Sequence, residues 1–445
     1  MAQSMDNIQA RKTVQNGVPG RLNAFQRTML EWNSWHPYNA VHVVRMPGTP
    51  NPERLKRSID QTLESRGLTG LNLDAHRATY SYAGGAGDYQ LHSLSIAESE
   101  LTSLAAELER QLNLPFVQSA PFSPFRFFVA AAEESFFLGL AYLHAVADAE
   151  SIVLLLKNIV ENYSGKNLHD RRPGPGPNSN AFISHPGAFV RKLASLPSLV
   201  RDMRKSSKPH YRNTNDLSNG FTLFSLAPAN LRRLLDASSA FHITVNDLLL
   251  ALLMKSCAML APARLRTGRR RNISLGCIVN SRKDQEAEVQ DVFGLALGSF
   301  VVTHVAPEKL ALVELAKEIG RQTLAIKRKK LYLATSLELS FGRVMFSFFS
   351  TADRKKIYQK HYPLWGGLTN MNINSLWQQQ DGAGNIDYLR AVSTGPVTPL
   401  VLSFTTAGQV ANIGISYRTT VYSSDEIERF RRSFIQALAG LEVRG

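Results

Sequence analysis

Cysteine is nearly absent from this chain: two among 445 residues, Cys257 and Cys277. Both sit in apolar runs, so a disulfide framework is excluded and a small buried hydrophobe is the expected role of each. No uninterrupted apolar run reaches bilayer-spanning length, and residues 1–20 are polar, without the apolar core of a signal peptide. No integral membrane segment is therefore expected, and cytoplasmic residence is. Acidic residues are outnumbered, 36 against 51 Lys and Arg, which leaves a formal charge of +15. That excess points to acidic partners: nucleic acid, an anionic surface, a phosphorylated cofactor or an acidic carrier protein. The basic clusters at 201–212, 264–271, 327–330 and 354–356 lack interleaved aromatics and match no DNA- or RNA-binding signature, which argues against nucleic acid. His36 and His361 have no carboxylate or cysteine at ligand spacing, so no metal site is expected.

What is present is an ordinary globular composition, 44% hydrophobic and 20% charged, over a length that two domains of roughly 200 residues would share. Hydrophobic periodicity alternates between helix and strand, predicting a mixed α/β fold. In the first third it places a helical start at 23–32, a strand at 40–46, a helix after Pro52, a strand at 78–82 and a helix at 97–112. A hairpin at 125–131 and 136–142 follows. Beyond Tyr163 the chain becomes rich in Gly, Pro, Ser and Asn, marking a linker. Residues 181–212 read as a basic, weakly helical crossover. The second half predicts a strand at 221–226, helices at 228–238 and 245–260 with Thr244 as N-cap, and strands at 272–280 and 298–304. A helix at 307–327, strands at 367–372, 386–392, 400–405 and 411–416, and a capped helix from Ser424 to Leu441 complete it. The expected division is an N-terminal lobe over 1–165, a linker over 166–219 and a C-terminal lobe over 220–445.

One segment carries chemistry. Phe136 to Leu143 is an apolar strand, His144 stands at its end, and an apolar helix begins after Asp148. A strand end is rigid enough to aim an imidazole, and histidine is suited to proton transfer near neutral pH. His144 alone among the 11 histidines has Asp at the fourth following position. The spacing by itself is weak, and a core histidine bonded to backbone fits it as well.

Several separated segments together resemble the chloramphenicol acetyltransferase-like superfamily, which includes nonribosomal peptide synthetase condensation domains, BAHD acyltransferases and wax ester synthases. They are Leu22-Asn-Ala-Phe-Gln-Arg, the Asn51-Pro helix start, His144 with Asp148, Phe241-His-Ile-Thr-Val-Asn-Asp, Val279-Asn-Ser-Arg282 and residues 399–441. The fuller motif is His-His-x-x-x-Asp-Gly; here Leu143 replaces the first His and Ala149 the Gly. The BAHD Asp-Phe-Gly-Trp-Gly motif is absent, with Phe293-Gly294 only a partial echo, as is the wax-synthase Asn-Val-Pro-Gly-Pro motif near Thr369-Asn370.

The resemblance implies two lobes, each a mixed sheet flanked by helices, with a tunnel between them. It implies His144 as general base for acyl transfer from a thioester of coenzyme A or of a carrier protein's phosphopantetheine to a hydroxyl or amine of a small acceptor. No permanently bound cofactor is expected. Asp148 would be structural, pairing with Arg282, and Trp365, Thr369 and Asn370 are candidates for meeting the oxyanion or lining the tunnel. Two other readings stay open: a non-catalytic binding or scaffold protein of the same fold, and a membrane-associated wax or glycerol ester synthase.

Overall fold

A computed structural model describes residues 19–95, 100–166, 186–266, 269–284, 292–377 and 387–441. The Gly/Pro-rich start of the expected linker, 167–185, lies outside the described residues. In chain order the first half comprises β1 (Gly20–Arg21), α1 (Ala24–Trp35), β2 (Asn39–Pro47), α2 (Pro52–Ser65), β3 (Leu71–Asp74) and β4 (Thr79–Tyr82). It continues with β5 (Gln90–Ser95), α3 (Glu100–Asn113), β6 (Phe125–Ala131), β7 (Ser135–Leu143) and α4 (Ala149–Tyr163). Helix α5 (Pro186–Lys205) crosses to the second half, which opens with β8 (Asn219–Leu226), α6 (Pro228–Ala240), α7 (Val245–Met259), β9 (Ile273–Asn280) and β10 (Leu297–His304). It closes with α8 (Leu312–Arg328), α9 (Thr335–Phe346), α10 (Thr351–His361), β11 (Gly366–Asn372), β12 (Tyr388–Val392), β13 (Leu400–Ala407), β14 (Val410–Arg418) and α11 (Ser424–Ala439).

Local chemistry explains most boundaries. Asn23 and Gln26 form a capping box on α1, Asn51 caps α2 ahead of a Pro in its first turn, and Ser423 with Glu426 caps α11. Thr244 and Asp247 do the same for α7, and Asp247 also accepts from Thr323 Oγ1 at 2.6 Å. Asp247 thus serves the start of a helix. Strand β7 is buried along its whole length, as its unbroken apolar run requires of a central strand. Gly139 within it faces Phe128 of β6, whose ring occupies the space a side chain would need.

Two sheets organise the molecule, in agreement with the expected mixed α/β architecture. One has five strands in the order β12-β2-β7-β6-β5, the other six in the order β10-β9-β11-β13-β14-β8. Both are mixed: β5 runs parallel to β6, and β11 parallel to β9 and β13. Strand β12 comes from the second half of the chain but pairs with β2 of the first, with Arg390 opposite His42. The two halves therefore share a sheet, which the sequence reading, with 386–392 among the C-terminal strands, did not anticipate. The first-half core accordingly includes Phe293, Leu295, Ile373, Trp377 and Tyr388. Among the described residues no single helix is long and apolar enough to cross a membrane.

Candidate active site

Strand β7 delivers His144 to the seam between the sheets. The turn from His144 to Ala147 is held on three sides. The His144 N–H donates to Tyr38 O at 3.1 Å, Gln26 Nε2 of α1 donates to Ala145 O at 3.1 Å, and the Asp148 N–H donates to Gly294 O from the second half at 2.9 Å. The imidazole is buried, nearly stacked on Tyr38 and edge-on to Tyr142. Its Nδ1 lies 3.2 Å from Ala147 O. A carbonyl only accepts, so Nδ1 carries the proton and Nε2 keeps a free lone pair. Burial lowers the imidazole pKa to about 4, with the nearby Arg390 cation adding to the fall and the Ala147 bond and Asp148 charge opposing it. The ring is neutral at pH 7.

Asp148 faces away from this lone pair. It is the N-cap of α4, accepting from Ser151 N–H at 2.9 Å on Oδ1 and from Ala296 N–H at 3.0 Å on Oδ2. Arg282 Nη2 donates to both oxygens, at 2.9 and 2.8 Å, and to Ser151 Oγ at 2.7 Å, while its Nη1 donates to Val292 O at 2.7 Å. Both side chains are buried. This ion pair joins the helix after the histidine to the second half of the chain, and with it fixes the turn. The two motif departures have local reasons. Leu143 is fully buried in the first-half core, and Ala149 starts α4 with ordinary backbone, so no glycine is needed there.

His144 lies in the wall of a cavity of ≈ 1580 Å³, larger than the roughly 300–1,000 Å³ usual for small-ligand sites. His42, Tyr142 and Arg390 come from the first sheet, with Tyr38 just before β2; Cys277, Phe300, Gly367 and Thr369 come from the second, and α1, α5, α9 and α10 close the sides. Apolar side chains dominate the surface. Burial pushes the Cys277 thiol up to about 12, and that of Cys257 higher still, so neither is a thiolate nucleophile.

The three tunnel candidates separate. Thr369 is in the cavity wall, with Arg390 Nη1 3.5 Å from its Oγ1. Trp365 is not: its indole N–H is taken by Ser207 O at 3.1 Å and its ring packs in the second-half core. Asn370, one residue beyond Thr369 on β11, is also outside the wall, which takes Gly367, Leu368 and Thr369 from that strand.

Two wall residues went unnoticed in the sequence. His42 is buried beside His144, with Nδ1 2.7 Å from Tyr388 Oη. Arg390 is equally buried and donates to Thr405 Oγ1 at 2.7 Å, Phe404 O at 2.9 Å and Thr369 O at 3.2 Å, bolting β12 to the second sheet. No described carboxylate pairs with it. The charged or polar residue inside each otherwise apolar strand was the available signal, but only pairing β2 with β12 places the two opposite one another.

No family model matches this chain, and no curated protein matches its sequence. Solved structures do. The condensation domain from the Monacolin K polyketide synthase MokA is 13% identical with a TM-score of 0.66, covering 95% of this chain and 96% of its own. The epimerization domain from the third module of tyrocidine synthetase B is 15% identical with a TM-score of 0.65, at 97% and 98% coverage. The cyclization-docking bidomain of EpoB from Sorangium cellulosum is 12% identical with a TM-score of 0.69, covering 97% of this chain and 86% of that one. At these identities the likeness establishes the fold, which is that of condensation-type domains.

Proposed function

We propose that the protein is an acyltransferase, moving an acyl group from a thioester to a hydroxyl or amine with His144 as general base. The carrying observation is a buried, neutral imidazole in the wall of the cavity between the two sheets, one nitrogen pinned by Ala147 O and the other left as acceptor. Nε2 takes the proton from the acceptor O–H or N–H as that atom attacks the thioester carbonyl carbon. The resulting oxyanion collapses, the C–S bond breaks, and the proton passes from the imidazolium to the departing thiolate. No covalent acyl-enzyme is needed.

Other residues serve this step through position and charge. Asp148 and Arg282 hold the turn that presents His144. Thr369 Oγ1 and the field of Arg390, both in the cavity wall, are the donor and cation to which a developing oxyanion would turn. The donor is a thioester of coenzyme A or of a carrier protein, whose phosphates suit a chain of charge +15, and the setting is a cytoplasmic biosynthetic one.

The test is intact-mass detection of transfer from a panel of acyl-coenzyme A and acyl-carrier donors to mixed alcohols and amines, wild type beside folded His144→Ala. Transfer present in wild type and lost in the variant supports the reading. Equal background in both overturns it in favour of a binding protein on the same fold.

A further inference from the structure

Helix α9 turns an apolar stripe outward. Phe341 and Val344 are each 64% exposed, Met345 47%, and Phe348 just past the helix end 85%. Their spacing is that of one helix face, so the second half of this helix turns apolar side chains to water, while Leu339 nearer its start packs on the first-half core. Across the cavity mouth α5 exposes Leu193 and Val200, and the Lys192–Glu338 ion pair at 2.8 Å ties the two helices together. Leu193, Val200, Phe341, Met345 and Phe349 are at once exposed and part of the cavity wall. The patch is therefore the rim of the proposed active-site cavity, and it is continuous with the apolar interior.

The same rim is basic. Arg204 and Lys356 are exposed and belong to the cavity wall, with Arg191 and Arg201 exposed on α5. The acids nearby are engaged: Glu338 with Lys192, Asp353 with Ser350, which caps α10, and Asp202 of the cavity wall with Arg201 at 3.9 Å, which offsets that cation. Exposed phenylalanines ringed by Lys and Arg are the composition of a surface that inserts shallowly among acyl chains while its cations meet anionic headgroups. We infer that the α5–α9 rim docks on an anionic lipid surface, so that a lipid-borne acyl or alcohol chain passes into the cavity without crossing water. The apolar stripe runs on past the cavity wall to Val344 and Phe348, and shallow insertion among acyl chains accounts for that extension together with the cations around it.

The experiment is flotation of the full chain with vesicles of phosphatidylglycerol and phosphatidylcholine in equal parts, and with phosphatidylcholine alone. Wild type floats with the anionic vesicles and weakens at physiological salt. Phe341→Ser with Phe348→Ser lowers the partition coefficient roughly tenfold or more, with an unchanged Tm because both positions are exposed. His144→Ala floats like wild type, so docking and transfer stand or fall separately. Absence of flotation overturns the inference. So does flotation that the double serine variant leaves intact, which would be non-specific adsorption of a basic protein. Wild type that stays off vesicles while the double variant loses transfer from a carrier-borne donor would instead assign the face to a carrier protein.

Discussion

Replacing Asp148 by Asn tests the role given to the carboxylate most directly. Every group facing it is a donor: Ser151 N–H on Oδ1, Ala296 N–H on Oδ2 and Arg282 Nη2 on both. An amide in either orientation turns its NH2 onto donors and leaves the Arg282 cation buried without its counter-charge. Breaking a buried pair from one side costs about 3–5 kcal/mol. At about 2.1 cal/mol/K per residue, unfolding of all 445 residues as one unit carries roughly 0.9 kcal/mol/K. The Tm should therefore fall by about 4 °C, or about twice that if the first half melts alone. Scanning calorimetry measures the shift. Combining Asp148→Asn with Arg282→Gln should cost less than the two single changes added, because the second removes the stranded charge. A Tm within a degree of wild type alongside abolished transfer would refute the reasoning and place Asp148 in the chemistry itself.

Four further outcomes follow from the geometry. With the His144 pKa at about 4, transfer should be flat through neutral pH and fall on an acid limb centred near pH 4. Arg390→Gln removes a cation that lowers this pKa and should move the limb to higher pH in a pH–rate profile. The same shift couples pH to stability: between pH 6.5 and about 4 the unfolded chain binds a proton that folded His144 does not. Stability should thus fall as pH drops through that window, by about 3 kcal/mol in total, and urea titrations at neutral and acid pH should show a smaller fall for His144→Gln. Gly139→Ala would place a Cβ 2.0 Å from Phe128 Cζ; a loss of about 1–3 kcal/mol in denaturant midpoints, partly restored by Phe128→Leu, checks that the ring lies over the strand.

Much of the local structure was legible because its causes are local. Capping pairs such as Thr244 with Asp247 and the unbroken apolar run of β7 announce their elements within a few residues. The position of His144 between a buried strand and a buried helix could be read the same way. Arg282 could not be joined to Asp148 by any spacing rule, being 134 residues away; resemblance to a family proposed that pair. The structure extends the expected helix at 307–327 differently, as a short 3-10 turn at Pro307–Lys309 and then α8 from Leu312, since the chain must turn before it can pack on α7.

By itself the sequence determined the alternation of helices and strands, the buried unreactive cysteines and the one histidine placed to act at a strand end. Only the tertiary structure decided which sheet β12 joins, and that choice brings Arg390 opposite His42 and into the cavity wall. It also decided that Thr369 faces the cavity while Asn370 and Trp365 do not. The reason is physical: a strand's pattern states that its two faces differ, but its partner and register decide what each face meets.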